Sequence, residues 1–549
     1  MKETTFHKNE QFEVVFEDLT HEGFGVAKIN GFPVFVADAL VGERALIALT
    51  KVKKSFAYGR MVFRYTKSPD RVEAPCRFFK LCGGCTLQHL SYPAQLAYKQ
   101  KQVAEVLKRI GYLENITVCP TQGMGNPWNY RNKSQVPVAS VDGQLEIGFY
   151  RQRTHQMIPM DTCLIQSETN DQILQWIKQI SSQLGVEPYD EQKHTGVLRH
   201  IMLREAKATG EVMVVLVTRT KVFPEGQALV KKITKRYPMV QSIVQNINPQ
   251  KTNVILGEQT KLLHGRKYIY DYIGSVKFAI SALSFYQINP IQTKVLYEQV
   301  LHYAGLTGNE VVFDVYSGVG TISLFLAQKA KAVYGVEIVE AAVENAKQNA
   351  KLNGMDNVRF EVGKAETVIP QWICSGIQPD VIVVDPPRKG CDKHLLQTML
   401  TASPSRMVYV SCNPATLARD LQILTATSDY KVKEVQPVDM FAQTGHVETV
   451  VLLSKGEIDS KKVRVEFSLE DMDMSGFQNY ATYSQIKERV LQQTGLKVSS
   501  LYIAQIKQKH GIIERENYNK PKSENTRQPK CPLEKEAAIT EALKYFGMI

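Results

Sequence analysis

Cys412 has the residue type and the position of a catalytic nucleophile. It follows the apolar run MVYVS and stands in the sequence SCNP (411–414). A thiolate is a strong nucleophile, and the carboxyl end of a core strand in an α/β sheet faces the ligand cleft. A buried cysteine is more often inert packing, but this position favours a catalytic thiol.

Glu448 is the candidate general base. It begins the apolar run ETVVLL (448–453). A thiol that adds to a ring carbon can leave again only after a base removes a proton from the neighbouring carbon. The structural alternative is a solvent-exposed carboxylate at the start of a strand. His446 is a rival base, which we assign to a supporting position.

A glycine-containing turn indicates a cofactor site. The segment VVFDVYSGVGT (311–321) predicts a strand that leads through Gly318 and Gly320 into a helix, and Glu337 ends the next apolar strand 19 residues after Gly318. A carboxylate at that spacing accepts hydrogen bonds from ribose hydroxyls. NAD and S-adenosylmethionine both suit this pair. Ser323 stands where a dinucleotide site needs its third glycine, so the methyl donor is favoured.

Asp385 extends the same predicted cleft. It opens the sequence DPPRKG (385–390) after another apolar strand. The two prolines fix the backbone without donating hydrogen bonds, which leaves Asp385 aimed at the ligand. Methyltransferases that act on exocyclic amines usually continue with an aromatic residue here. Arg388 follows instead, which argues against amine methylation.

The elements that must position these residues show two different patterns of apolar residues. From about residue 295, apolar strands alternate with helical segments and end with VETVVLLS (447–454), which predicts a doubly wound, Rossmann-like α/β sheet. Residues 10–65 alternate with period two between glycines, which predicts a five-stranded OB-like barrel similar to the TRAM domain. Residues 456–549 predict helices, which form either a helix-turn-helix or a small helical packing module.

Four cysteines suggest a separate metal site. Cys76, Cys82 and Cys85 form the pattern C-x5-C-G-G-C, and Cys163 follows in MDTCLIQ. Four thiolates can bind zinc or an iron–sulfur cluster. Their spacing leaves both open.

Composition points to a polyanionic partner. The chain of 549 residues has a formal net charge of +12 and a pI of about 9.0, which favours nucleic acid. Aromatic and cationic residues also alternate between the cysteines, as in an RNA-binding surface or a merely charged sheet face: Tyr130, Arg131, Lys133, Tyr150 and Arg151. The sequence contains no apolar stretch of ~20 residues and no signal-peptide pattern, so we expect a cytoplasmic protein without membrane contact.

The motifs DVYSGVGT, DPPRKG, SCNP and HVETV, preceded by SALSFYQINPIQTKVLY (281–297), closely resemble those of the RNA uracil-5 methyltransferases. The resemblance spans residues 10–455. It implies that Cys412 is the nucleophile and Glu448 the base. It also implies that S-adenosylmethionine is held by four residues, Gln287, Tyr316, Glu337 and Asp385.

The resemblance further implies a [4Fe–4S] cluster at the four cysteines and 23S ribosomal RNA as the substrate, because transfer RNA members generally lack both cluster and barrel. The alternatives are a transfer RNA enzyme, a noncatalytic RNA-folding factor and a small-molecule methyltransferase; no protein partner is implied. The expected domains are a barrel (1–68), an α+β iron–sulfur domain (69–265), a methyltransferase domain (266–455) and a helical C-terminal extension (456–549). The family comparison suggests that helix 93–125 packs on the methyltransferase domain.

Overall fold

A computed structural model describes residues 6–152, 154–426, 428–455, 483–510 and 531–546. The chain divides into two compact units, Met1–Asp459 and Ser460–Ile549. Within the described ranges, no helix is both long enough and apolar enough to cross a bilayer. The predicted boundaries at 68 and 265 stay predictions, and the predicted start of the extension, from 456 to 482, lies outside the described residues.

The N-terminal sheet consists of short strands whose alternate side chains fill an apolar core that includes Val34, Val36, Ile47 and Leu49. The strands pair in the order β1-β5-β6-β4-β3-β2. We predicted five strands, and that number was wrong. The chain leaves β5 at Phe16 and joins β3 at Glu17, which creates an additional two-residue strand, β2. The strands are β1 (Gln11–Val15), β2 (Asp18–Leu19), β3 (Gly25–Ile29), β4 (Phe32–Val36), β5 (Arg44–Val52) and β6 (Ala57–Arg64).

A long helix, α1 (Tyr92–Arg109), leads into a central sheet with the strand order β13-β12-β11-β10-β7-β8-β9. The strand β11 is buried on both faces: Val212, Val214 and Leu216 pack under α2 and α3, while Met213, Val215 and Val217 belong to another core. The elements are β7 (Lys133–Val141), β8 (Gln144–Tyr150), β9 (Met157–Pro159), α2 (Glu168–Gln183), β10 (Leu198–Glu205), β11 (Val212–Thr218), α3 (Gly226–Arg236), β12 (Val240–Ile247) and β13 (Gln259–Gly265).

The hairpin β14 (Tyr268–Ile273) and β15 (Val276–Ser281) connects the central sheet to an α/β sheet, also of seven strands, with the order β18-β17-β16-β19-β20-β22-β21. Its strands from β16 to β20 pair in parallel, and β22 joins antiparallel. This confirms the predicted doubly wound α/β fold with an N-terminal barrel. The elements are α4 (Pro290–Ala304), β16 (Val311–Val315), α5 (Thr321–Ala327), β17 (Ala332–Glu337), α6 (Glu340–Leu352), β18 (Val358–Val362), α7 (Ala365–Cys374), β19 (Val381–Val384), α8 (Lys393–Ala402), β20 (Arg406–Ser411), α9 (Pro414–Ala426), β21 (Tyr430–Val438) and β22 (Glu448–Lys455).

Helices cover both faces of this sheet. Leu296 of α4, Ile322 of α5 and Val343 of α6 lie in the core on one face. On the other face, α7, α8 and α9 share their core with Val103 and Leu107 of α1. The helix α1 therefore packs on the α/β sheet, although the two are far apart in sequence. It ends at Arg109 and not at the predicted residue 125.

The second compact unit contains three described helices, α10 (Tyr483–Thr494), α11 (Ser500–Lys509) and α12 (Leu533–Tyr545). They enclose a small apolar core that includes Val490, Ile503, Ile539 and Leu543. Whether this unit is a helix-turn-helix or a packing module stays open.

Candidate active site

Cys412 and Glu448 lie opposite each other on neighbouring strands. Ser411, the last residue of β20, pairs with Thr449 of the antiparallel strand β22. Cys412 directly follows β20 and Glu448 begins β22. The charge of Glu448 raises the pKa of the Cys412 thiol, so the two side chains lie close together at one edge of the sheet. This is also the edge at which the parallel strands end.

Glu448 is a buried carboxylate. Only 5% of the residue is exposed, so the alternative of a solvent-exposed carboxylate was wrong. Burial, followed by the charge of Asp385, raises the pKa of Glu448 to about 8, while the positive charge of Arg388 opposes this shift. A carboxylate with so high a pKa is a strong proton acceptor for its type.

The Cys412 thiol opens onto a cavity of about 720 Å³, whose wall also includes His21, Gly84, Arg388 and His446. Burial raises the pKa of Cys412 to about 11, and the charges of Glu448 and Asp385 act in the same direction. Arg388 lowers this pKa. The cavity is large enough for more than one nucleotide, and it brings residues of the barrel to the thiol.

Two residues that follow the cysteine hold the backbone of Arg388 in place. The side-chain amide of Asn413 donates to the Arg388 carbonyl oxygen at 3.0 Å, and the hydroxyl of Thr416 donates to the same oxygen at 3.2 Å. Sequence reasoning did not assign a role to these residues. The signal was present, because SCNP and DPPR contain Asn413 and Arg388 themselves.

His446 lies in the wall of the same cavity. Burial is the main cause of its lowered pKa, and the positive charges of Arg388 and Lys99 add to the effect. The imidazole is therefore neutral at pH 7, and its role as an alternative base stays a hypothesis.

Three of the predicted cofactor residues meet at the carboxyl ends of adjacent strands. Val315 pairs with Val336 and with Val384, so Tyr316, Glu337 and Asp385 follow one another across the sheet edge. Tyr316 adopts a left-handed backbone conformation with a φ of 67°. Burial raises the pKa of Asp385 to about 6. The fourth predicted residue, Gln287, lies in the loop before α4, where its carbonyl oxygen accepts from the side chain of Asn132 at 3.0 Å.

The glycine turn leaves room beside Glu337. The Glu337 carboxylate accepts from the backbone N–H of Gly318 at 3.2 Å and from that of Val339 at 2.9 Å. A Cβ built on Gly318 would meet nothing within 4 Å, and its φ is +55°. Below the turn, the Ser323 hydroxyl donates to the fully buried Asp314 carboxylate. This hydrogen bond stabilises the turn. Ser323 thus has a structural role at the position where a dinucleotide site has a glycine.

The four cysteines line one cavity of about 300 Å³, together with Arg131. Burial raises the pKa of Cys85 to about 12 and that of Cys163 to about 11. Among the described residues, no three His, Cys, Asp or Glu side chains are arranged to hold one metal ion. Cys76, Cys82, Cys85 and Cys163 thus surround a space rather than a single point.

One residue of the predicted RNA-binding surface is not available to RNA. Tyr130 is only 3% exposed, and its hydroxyl donates to the Ala442 carbonyl oxygen at 3.1 Å. The prediction that Tyr130 stacks on RNA was wrong, because its ring is part of the protein interior. Arg151 is exposed, and Arg131, Lys133 and Tyr150 are partly exposed.

Comparison with known proteins agrees with this geometry. Residues 209–456 match the family model described as tRNA (Uracil-5-)-methyltransferase, and residues 7–62 match the TRAM domain. An uncharacterised RNA methyltransferase of Halalkalibacterium halodurans is 57% identical over 447 residues, which cover 81% of this chain and 97% of that protein. One from Bacillus cereus is 56% identical over 450 residues, with 82% and 98% covered.

Among solved structures, the tRNA (uracil-54, C5)-methyltransferase of Pyrococcus abyssi, in complex with S-adenosyl-L-homocysteine, matches with a TM-score of 0.65 and 31% identity. The match covers 80% of this chain and 99% of that one. It therefore extends well beyond the α/β sheet. Together with the family models and the bacterial relatives, it shows that the chain belongs to the uracil-5 methyltransferase family of RNA-modifying enzymes.

Proposed function

We propose that the protein transfers the methyl group of S-adenosylmethionine to carbon 5 of a uridine in 23S ribosomal RNA, through a covalent bond between Cys412 and carbon 6. The observation that carries this proposal is the pairing of Ser411 with Thr449, which brings the adjoining residues Cys412 and Glu448 together, with Cys412 at the wall of a cavity. A nucleophile and a base on facing strands can act on adjacent atoms of one ring.

The glycine turn fits the methyl donor. Gly318 leaves open space at the end of β16, and Glu337 and Asp385 stand on either side of it. S-adenosylmethionine is the source of the methyl group, and the related Pyrococcus abyssi enzyme is in complex with S-adenosyl-L-homocysteine. We expect Gln287, Tyr316, Glu337 and Asp385 to hold the donor, with Glu337 at the ribose hydroxyls.

The proposed reaction uses the two residues in sequence. Carbon 5 of uracil is too weak a nucleophile to take the methyl group by itself. The Cys412 thiolate bonds to carbon 6, and the electron pair of the 5,6 double bond moves to form an enolate. Carbon 5 then takes the methyl group and S-adenosylhomocysteine leaves. Glu448 removes the proton from carbon 5, the electron pair of that C–H bond restores the double bond, and the Cys412 thiolate leaves with its bonding pair.

Arg388 supports both ionised groups. It is exposed in the cavity, and its positive charge lowers the pKa of Cys412 and that of Glu448. Burial raises the pKa of both groups and so favours the protonated form, which is the inactive form of each. Arg388 therefore favours the thiolate and the carboxylate that the reaction requires.

We also propose that the cavity among Cys76, Cys82, Cys85 and Cys163 holds a [4Fe–4S] cluster. Four thiols around a space of about 300 Å³ suit a group with several metal atoms better than one zinc ion, which needs four ligands at bonding distance from a single point. The bound cluster would supply covalent links between residues 76–85 and the segment at Cys163.

Transfer RNA is the second candidate substrate, and one observation favours it. The Pyrococcus abyssi protein is a tRNA enzyme, and its match covers too much of this chain to involve the α/β sheet alone. Domain content by itself therefore does not separate the two RNAs. The proposal of 23S ribosomal RNA therefore rests on the family resemblance of the cysteine pattern.

The deciding experiment uses the purified full chain, S-adenosylmethionine labelled in its methyl group, and unmodified 23S and transfer RNAs. Label in 5-methyluridine of 23S RNA, absent with Cys412→Ala and retained with the exposed Cys374→Ala, is the expected result. Label in transfer RNA alone would overturn the substrate and keep the chemistry. Label in neither RNA, with a folded protein, would favour a noncatalytic RNA-folding factor.

A further inference from the structure

The segment that leads to Glu448, residues 439–447, is held mainly by parts of the chain outside the α/β sheet. We call it the base loop. It follows β21 and ends where β22 begins with Glu448. Gln443 in its middle is buried and has a left-handed backbone with a φ of 68°. A buried residue in this conformation persists only when its surroundings hold it there.

Thr86, which directly follows Cys85, contacts the base loop with both backbone and side chain. The backbone N–H groups of Thr86 and Leu87 donate to the Gln443 carbonyl oxygen at 2.9 and 3.0 Å. The Thr86 hydroxyl accepts from the backbone N–H of Gly445 at 3.2 Å. Gly445 lies three residues before Glu448, so this last bond is made close to the base.

The helix α1 holds the other side of the base loop. Gln95 and Gln443 bond reciprocally: the Gln95 side chain donates to the Gln443 side-chain oxygen at 3.0 Å and accepts from the Gln443 backbone N–H at 3.1 Å. One turn further, Lys99 donates to the Asp439 carboxylate at 2.5 Å and to the Phe441 carbonyl oxygen at 3.1 Å. These bonds fix the loop up to Gln443. After it, the Thr444 hydroxyl bonds within the loop, donating to the Phe441 carbonyl oxygen at 2.7 Å and accepting from the His446 backbone N–H at 3.3 Å, and the Thr86 hydroxyl adds a bond from outside the loop.

The barrel contacts the base loop on a third side. A Cβ on Gly445 would come within 2.0 Å of the His21 carbonyl oxygen. No side chain fits there, so the barrel turn and the base loop touch through their backbones. The position of Gly445 is therefore determined by His21 on one side and by the Thr86 hydroxyl on the other.

We propose that Thr86 is a positioning residue for the general base, and that its hydroxyl sets the place of Glu448 through Gly445. This inference rests on the proposed function of Glu448. Removal of the carbon 5 proton depends on the position of Glu448, whereas the earlier attack by Cys412 does not. Loss of the hydroxyl should therefore slow the last step and leave the covalent Cys412–RNA adduct to accumulate.

The test compares Thr86→Val, which keeps the shape of the side chain, with Thr86→Ser, which keeps its hydroxyl. Under single-turnover conditions with unmodified 23S RNA, or with transfer RNA if that is the substrate, the methylated adduct that survives denaturation is measured beside released 5-methyluridine. We expect release to be about 2- to 10-fold slower in Thr86→Val, the range of one lost hydrogen bond, with adduct accumulating. Thr86→Ser should behave like the natural protein.

Glu448→Gln, run in parallel, separates the two proposals. Adduct in Glu448→Gln but none above the natural level in Thr86→Val would overturn the role of Thr86 alone. No adduct in Glu448→Gln would overturn the assignment of the base itself. A Thr86→Val variant that slows adduct formation and release equally would show a structural effect, which also contradicts the proposal. As a control, the metal content of the variant is measured, and a content equal to that of the natural protein excludes damage to the neighbouring cysteine site.

Discussion

Lys99 and Asp439 form an ion pair in which neither side chain is exposed (0% for both). The two residues belong to α1 and to the start of the base loop, so the pair ties a helix from before the central sheet to the last part of the α/β fold. The Tyr92 hydroxyl also donates to the Asp439 carboxylate, at 2.7 Å. Every oxygen of that carboxylate therefore has a partner inside the protein.

Breaking this pair should be costly. Lys99→Met leaves the Asp439 charge buried without its cation, and we expect the free energy of unfolding to fall by about 3–5 kcal/mol. Lys101→Met removes an ion pair with Asp18 in which about half of each side chain is exposed, and should change stability by about 1 kcal/mol or less. Urea unfolding measures both. The double variant Lys99→Met/Asp439→Asn should recover part of the loss; a double variant less stable than the single one would contradict this account.

Gly445 should not tolerate a side chain. Gly445→Ala places a methyl group against the His21 carbonyl oxygen, so the base loop or the barrel turn must move. We expect methyl transfer to RNA to fall at least 10-fold, about the effect of a small displacement of a catalytic group. Gly125→Ala is the matched control, because a Cβ there meets nothing within 4 Å. Equal activity of the two variants would show that the loop adapts freely.

The pH dependence of the last step should follow Glu448. A base must be ionised, and the pKa of Glu448 is raised to about 8, so its carboxylate form is lost as the pH falls below that value. Adduct breakdown should therefore be about 50-fold slower at pH 6 than at pH 8 and level off above pH 9. Rapid-quench measurement of 5-methyluridine release tests this.

Adduct formation should follow Cys412 instead. In Glu448→Gln, burial still raises the pKa of the thiol above its ordinary value of 9.0, so the rate of adduct formation should continue to rise with pH up to that value and beyond. If both steps levelled off at the same pH, one group would control both, and the division of roles between Cys412 and Glu448 would be wrong.

The cysteine cavity predicts a metal content. Cys82→Ser should lose most bound iron and acid-labile sulfide from anaerobically purified protein, because one of four thiolates is removed. Cys119→Ser, whose side chain lies near Glu434 rather than in that cavity, should keep both. Zinc in place of iron and sulfide would overturn the cluster and leave a four-thiolate site.

The sequence alone predicts which residues end the parallel strands, because apolar runs alternate with helices and each run stops at a polar residue. This rhythm is sufficient to place Glu337, Asp385 and Cys412 at one edge of the sheet. The burial of Glu448 could not be predicted, since it depends on β22 entering the sheet between β20 and β21. A residue that starts an apolar run is exposed when its strand lies at the edge of a sheet and buried when its strand lies in the interior.

Contacts between segments that are distant in sequence could not be predicted either. Tyr130 has cationic neighbours in sequence, as expected for an aromatic residue that stacks on RNA. Its hydroxyl nevertheless donates to the carbonyl oxygen of Ala442, 312 positions away. Thr86 and Gly445 are separated by 359 positions, and no local pattern connects them. Local periodicity determines which face of an element is apolar, whereas the partner of that face is a property of the whole fold.

The two-faced burial of β11 has an evolutionary consequence. Its alternate side chains complete two cores, so the central sheet cannot be exchanged for another RNA-binding module without opening the core of the α/β sheet. The barrel packs its core from residues of its own, from Val14 to Ala57. A barrel gained by recombination must still reproduce the contacts of Leu19 and Leu40 with Leu90 and of His21 with Gly445, whereas the central sheet and the α/β sheet must be inherited together.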